Sequence, residues 1–213
     1  MKFVDLLSTV ADEPIFSTGL LLSGDVDPGD VRRQLSRWTQ DGRIHRLRRG
    51  VYTLAPPYAK VMAHPFSIAN ELVQPSYVSL QSALAFWGLI PETVLTTTSI
   101  TTGRPGGFST PLGVHVYRHV QKTWFHDYRR VDIGHGQFAW LASPEKALLD
   151  LFYLEKASDS RDFLRELRLE LDDGIDLVRL RNLAEVCGQP KVRRAIGRLI
   201  KMKGQETEAL EIT

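Results

Sequence analysis

Residues Asp27 to Leu54, DPGDVRRQLSRWTQDGRIHRLRRGVYTL, constrain the fold more than any other stretch, because they divide position by position into a helix and a basic hairpin. Asp27 is a good N-cap, Pro28 suits the first helical position where a missing N–H costs nothing, and Asp30 sets a negative charge at the positive end of the helix dipole. Val31, Leu35 and Trp38 fall at i, i+4 and i+7 and form one apolar stripe. Arg33, Arg37 and Gln40 repeat that spacing about 200° away around a helix with 3.6 residues per turn. One face therefore packs, and the other offers guanidinium forks. Gly42 suits the left-handed conformation that ends such a helix, and Ile44, Leu47 and Val51 flank the polar tip Arg48-Arg49-Gly50, which reads as a wing. Upstream, Phe3, Leu6, Leu7 and Val10 predict an amphipathic first helix, and Ser17 with Thr18 starts a short helix through Leu22. Three helices followed by a hairpin predict a winged helix-turn-helix over residues 1–55.

The charge distribution gives this unit a partner. Residues 31 to 50 hold seven arginines, at 32, 33, 37, 43, 46, 48 and 49, against the single acid Asp41, while the whole chain is formally only +2. A basic concentration in a nearly neutral chain is the electrostatic footprint of a polyanion binder. Arginines on a helix face read guanine edges in the major groove, and arginines on a wing hold phosphates or a narrow minor groove. Arg32, Arg33, Arg37, Gln40, Arg43, Arg46, Arg48 and Arg49 are therefore the candidate contacts to double-stranded DNA. The plainer alternative is a solvated basic face on a domain whose winged fold serves protein contacts.

With 213 residues, 43% hydrophobic and 24% charged, the chain is long enough for one or two globular domains. The lone Cys187 permits no internal disulfide, the first twenty residues lack a basic-then-apolar leader, and apolar runs such as Ala83 to Ile90 are too short to span a bilayer, so a cytoplasmic protein is expected. Ala55-Pro56-Pro57 reads as the boundary, with a second domain over 58–213. In it the sequence predicts a helix after His64-Pro65 through Leu72. A second helix follows the Ser79 cap and ends at Gly88, with Pro91 just beyond. Thr96 to Thr102 and Val114 to His119 read as partner strands, with the GRPGGFSTPLG segment between them as an exposed turn or loop, and Val131–Ile133 and Phe138–Leu141 as shorter strands. Ser143-Pro144-Glu145 caps a helix containing LLDLFYL, and everything beyond Asp159 reads as helical. The expected class is α+β, a winged helix-turn-helix followed by an α+β domain with a C-terminal helical bundle.

Catalytic signals are weak. His115 and His119 share a face if their segment is a strand, with His126 and His135 nearby in sequence, so a metal site is conceivable. No HExxH and no paired CxxC accompanies them, and Gly103 to Gly113 contains neither GxGxxG nor Gly-Lys-Ser/Thr. Ser79 and Ser82 read as cap and small-residue packing, and Lys146 with Asp150 as an exposed i, i+4 pair. Neither enzymatic activity nor a cofactor or metal is expected. In Pro190 to Lys203, PKVRRAIGRLIKMK, the apolar positions Val192, Ile196, Leu199 and Ile200 alternate with Lys191, Arg193, Arg194, Arg198, Lys201 and Lys203. That pattern is either a solvated outer face or a second basic surface for DNA backbone or an acidic protein patch. The acidic tail from Gln205 is expected to be loose.

Three segments carry a family resemblance. Tyr77-Val78-Ser79-Leu80 with Ser82-Ala83-Leu84, then Trp87-Gly88-Leu89-Ile90-Pro91-Glu92, then Ser143-Pro144-Glu145-Lys146-Ala147-Leu148-Leu149-Asp150-Leu151, resemble the signature of the AbiEi antitoxins of type IV toxin–antitoxin systems, and Arg49-Gly50-Val51-Tyr52 is similar to that family's wing ending. Together the motifs span residues 30 to 153, and nothing beyond Asp159 matches. The resemblance implies an antitoxin whose N-terminal winged helix represses its own operon and whose C-terminal domain counteracts a nucleotidyltransferase toxin encoded beside it. Arg193, Arg194, Arg198 and Lys201 then become candidate toxin or DNA contacts, and two copies are expected on paired half-sites. Residue types alone leave open a stand-alone winged-helix regulator with a ligand- or partner-sensing C-terminal domain, and a nuclease.

Overall fold

A computed structural model of the chain describes all residues except 11, 24–25, 171–173 and 212–213, with side chains described as far as residue 204. The first unit runs α1 (Phe3–Val10), β1 (Phe16–Ser17), α2 (Thr18–Leu21), α3 (Pro28–Gln40), β2 (Ile44–Arg48) and β3 (Val51–Leu54). Local chemistry explains the helix ends. The Asp27 carboxylate accepts from the Gly29 and Asp30 N–H groups at 3.0 Å each, the Ser17 hydroxyl accepts from Leu20 N–H at 3.3 Å, and Gly42 takes φ +68° just past α3. Val31, Leu35 and Trp38 are buried as their spacing requires, beside Leu6, Val10, Phe16, Leu21, Ile44 and Leu54. Strand β1 was not anticipated: its two residues, too few to show alternation, pair antiparallel with β3 (Phe16↔Tyr52, Ser17↔Val51) and complete the order β1-β3-β2.

The second unit contains α4 (Pro65–Leu72), β4 (Ser76–Val78), α5 (Leu80–Phe86), β5 (Thr96–Thr101), β6 (Gly106–Thr110), β7 (Gly113–His119), a 3-10 turn at Lys122–Trp124, β8 (Tyr128–Asp132), β9 (Phe138–Ala142) and α6 (Pro144–Leu154). It ends in α7 (Arg161–Glu166), α8 (Leu177–Cys187) and α9 (Pro190–Glu211). Its sheet has the order β6-β7-β5-β4-β9-β8, with β5–β7 and β4–β9 parallel and the remaining pairs antiparallel. The architecture is thus mixed α+β. β5 and β7 do lie side by side, Thr96 opposite Val114. The segment expected as a loop instead holds β6, which folds back on β7 with Thr110 opposite Gly113; its glycines hid the alternation that identifies a strand. Where a loose tail was expected from Gln205, the backbone is helical through Glu211, since no proline or glycine follows Gly204. The side chains of that stretch lie outside the described residues.

α6 runs through the middle of the second unit, against α5, α8 and α9, and residues 145–152 are buried without interruption. A further apolar cluster crosses the Pro56-Pro57 connection, joining Leu47 and Val51 of the hairpin to Ala63, Ile68, Leu72 and Tyr117. Among the described residues no helix is long and apolar enough to cross a membrane.

Candidate nucleic-acid interface

α3 turns Arg32, Arg33, Arg37 and Gln40 to solvent, and the hairpin exposes Arg46, Arg48 and Arg49 around Gly50, whose φ of +82° closes the turn. These cations are not equivalent. Arg33 lies 3.7 Å from Asp27 and 3.5 Å from Asp30, the acids that begin its own helix. The Asp27 carboxyl is held below the usual carboxylate range first by the two backbone N–H groups it caps, and only secondarily by Arg33 and Arg32. Arg43 is half-buried, with its guanidinium 5.1 Å above the Phe3 ring and 3.9 Å from Asp41, so it braces the α3–β2 junction. Arg32, Arg37, Arg46, Arg48 and Arg49 make no ion pair among the described residues. A phosphate can pair with these five without first displacing a carboxylate.

The basic face of α9 is largely engaged within the chain. Arg193 lies 3.4 Å from Glu185 and Arg194 2.9 Å from Asp159, while Arg198 donates to the Asp159 carbonyl. Lys191 donates to the carbonyls of Tyr153 and Glu155 at 2.9 and 2.8 Å. Of the four proposed contacts on this helix, Arg198 and Lys201 are exposed without an ion pair among the described residues, and Arg198 is tied to a backbone carbonyl.

The pair Lys146–Asp150 is not exposed, as its i, i+4 spacing suggested, but has no solvent access at either residue. Its ammonium and carboxylate lie 2.8 Å apart. Asp150 also accepts from Ser79 Oγ at 2.7 Å, Tyr77 Oη at 3.0 Å and Trp124 Nε1 at 2.6 Å, and Lys146 donates to the Trp124 carbonyl at 2.9 Å. Ser79 accordingly gives α5 no side-chain cap. Burial pulls the Lys146 ammonium down in pKa while Asp150 opposes the shift, and burial with Asp150 drives the Tyr77 phenol up. A polar-looking helix position became interior because other elements cover α6 on every side, which helical periodicity does not report. Ser82, read as small-residue packing, also donates to the Thr96 carbonyl at 3.1 Å and accepts from Thr98 N–H at 2.9 Å.

The histidines separate. His115 is fully buried, and neither ring nitrogen has a hydrogen-bond partner; burial holds its pKa down. His119 Nδ1 sits 2.8 Å from the Gly103 carbonyl oxygen, and His126 Nδ1 sits 2.7 Å from Asp127. Among the described residues no three His, Cys, Asp or Glu side chains group to hold a metal ion. A cleft of about 930 Å³ between the units, lined by Phe16, Leu20 and Val51 on one side and Asn70, Phe138 and Trp140 on the other, had no counterpart in the sequence. Its walls come from segments more than a hundred residues apart. The chain matches no known family profile and no curated protein.

Proposed function

We propose that the first unit is a winged helix that binds double-stranded operator DNA, with α3 as recognition helix and the β2–β3 hairpin as wing, in a non-catalytic antitoxin that represses its own operon. The observation that carries the DNA reading is that α3 commits Val31, Leu35 and Trp38 to the core while Arg32 and Arg37, with Arg46, Arg48 and Arg49 of the hairpin, remain exposed and without ion pairs among the described residues. α3 then enters the major groove, Arg48 and Arg49 hold the backbone, and two copies on paired half-sites occlude the promoter. Repression of this kind needs no bond making or breaking.

The antitoxin part of the proposal rests on the resemblance. It is supported by the way the segments carrying that resemblance converge: Tyr77 and Ser79 meet Asp150 and Lys146 in one buried network, and Trp87 Nε1 donates to the Ala142 carbonyl at 2.9 Å beside it. Its partner is a nucleotidyltransferase toxin encoded in the same operon, met directly or opposed through a shared target. The inter-unit cleft favours a second reading, a regulator released from DNA by a ligand seated between the units.

The test is titration of the full-length protein against the duplex upstream of its own gene over a range of salt. We expect the logarithm of affinity to fall linearly with the logarithm of salt, by about 0.9 for each phosphate held, with unrelated duplexes bound more weakly. Absence of binding at low salt would remove the DNA reading. Failure to rescue cells expressing the neighbouring nucleotidyltransferase would remove the antitoxin reading and leave the sensing regulator.

A further inference from the structure

The hairpin does not stand free of the second unit. Ile44 and Leu54 pack into the core of their own unit, but Leu47 and Val51 join a different cluster whose other buried members, Ala63, Ile68, Leu72 and Tyr117, all belong to the second unit. A register slip redirects Leu47: Arg46 pairs with Tyr52 and Arg48 with Val51, so Leu47 is the extra residue of a bulge. Ile68 and Leu72 are four apart on α4 and present one face. Tyr117 on β7 is anchored by its own hydroxyl, which donates to the Ala69 carbonyl at 2.6 Å. Arg48 is near enough to Tyr117 to oppose the upward push that burial gives that phenol. The strand ends that flank the Arg49-Gly50 turn are thus held from behind by α4 and β7.

We propose that Ile68, Leu72 and Tyr117 are positioning residues for the wing, so that the second unit fixes where Arg48 and Arg49 stand relative to α3 when the DNA backbone is engaged. The proposal rests on the DNA reading of the first unit. Within its own unit the tip is braced on the β3 side, where Ser17 lies opposite Val51 and Thr18 N–H donates to the Gly50 carbonyl, whereas β2, which carries Arg48, is the outer strand of that sheet. Cations that must be ordered during binding lose affinity to that ordering. Packing Leu47 and Val51 against α4 and β7 restrains the β2 side before DNA arrives.

The experiment uses the full-length protein, fluorescence anisotropy with its promoter duplex across a potassium chloride series, and a thermal melt of each variant. Arg48→Ala/Arg49→Ala should lower the salt slope by about 1.8 if each arginine holds one phosphate. Ile68→Ala, in a protein that still melts cooperatively, should lower affinity and slope in the same direction. Adding Arg48→Ala/Arg49→Ala to it should then change affinity less than about twofold, since contacts already misplaced cannot be lost again. Ile68→Val should restore both quantities. A wild-type slope for Ile68→Ala, or full multiplication of the two effects, overturns the positioning role. If Ile68→Ala does not melt cooperatively, Tyr117→Phe carries the same cycle, because it keeps the ring and releases the tie to Ala69. Loss of binding by the unaltered protein would instead sink the DNA reading beneath it.

Discussion

Lys146 and Asp150 stand one turn apart on α6 with their charged atoms 2.8 Å from each other and no solvent contact at either side chain. Removing one partner leaves the other charge buried and unpaired, which costs about 3–5 kcal/mol. Asp150→Ala should cost at least that much, because Tyr77, Ser79 and Trp124 also lose their acceptor. The double variant Lys146→Met/Asp150→Leu should lose less than the single one. Urea unfolding of the three proteins measures this, and a double variant less stable than Asp150→Ala would mean that the network, and not the stranded charge, dominates.

On the DNA, helix and hairpin should fail differently. Arg37→Ala should cost about 1–3 kcal/mol on the operator and flatten its discrimination, as loss of a base-reading arginine does, whereas Arg48→Ala/Arg49→Ala should weaken all duplexes alike. Arg33→Ala should have a smaller effect than Arg37→Ala, since Arg33 is already held by Asp27 and Asp30. Parallel titrations against operator and scrambled duplex decide; equal losses on both for Arg37→Ala would place that residue on phosphate.

His115 should make the fold sensitive to acid. Burial depresses its pKa below the ordinary 6.5, and it has no partner that would accept a charge. A group with a depressed folded pKa takes up fewer protons folded than unfolded, so its neutral form contributes fully above about pH 6.5 and the contribution is lost as pH falls through the region below. His64, also depressed by burial, acts in the same direction. Urea midpoints measured from pH 7.5 to pH 5 should decline, and His115→Leu should flatten that decline. An unchanged pH profile for the variant would assign the acid loss elsewhere.

Residues 58–213 contain the larger apolar cluster, centred on α5, α6, β4 and β9, and should fold alone. The isolated segment uncovers Ile68, Leu72 and Tyr117, so its melting temperature should fall below that of the second unit in the full chain. Co-expressed with the adjacent toxin, it should still rescue growth, while residues 1–57 should not. A soluble, cooperatively melting 58–213 that gives no rescue where the full chain does would make the first unit part of neutralisation.

The sequence by itself determined what depends on neighbours within a turn or two. Asp27 and Ser143 cap helices, Gly42 ends one, and Val31, Leu35 and Trp38 share a stripe, because capping bonds and helical spacing link residues only a few positions apart. Tertiary structure decided whatever depends on which surfaces meet. It put Lys146 and Asp150 inside, drew Ser79 from a cap to a carboxylate 71 residues away, and set Arg194 against Asp159 in the turn between α6 and α7. It also turned Leu47 and Val51 of one hairpin toward a different unit from Ile44 and Leu54. The physical reason is that hydrophobic burial and charge pairing are properties of assembled elements: the same side chain is a solvated cation on an uncovered helix face and a buried partner once another element closes over it.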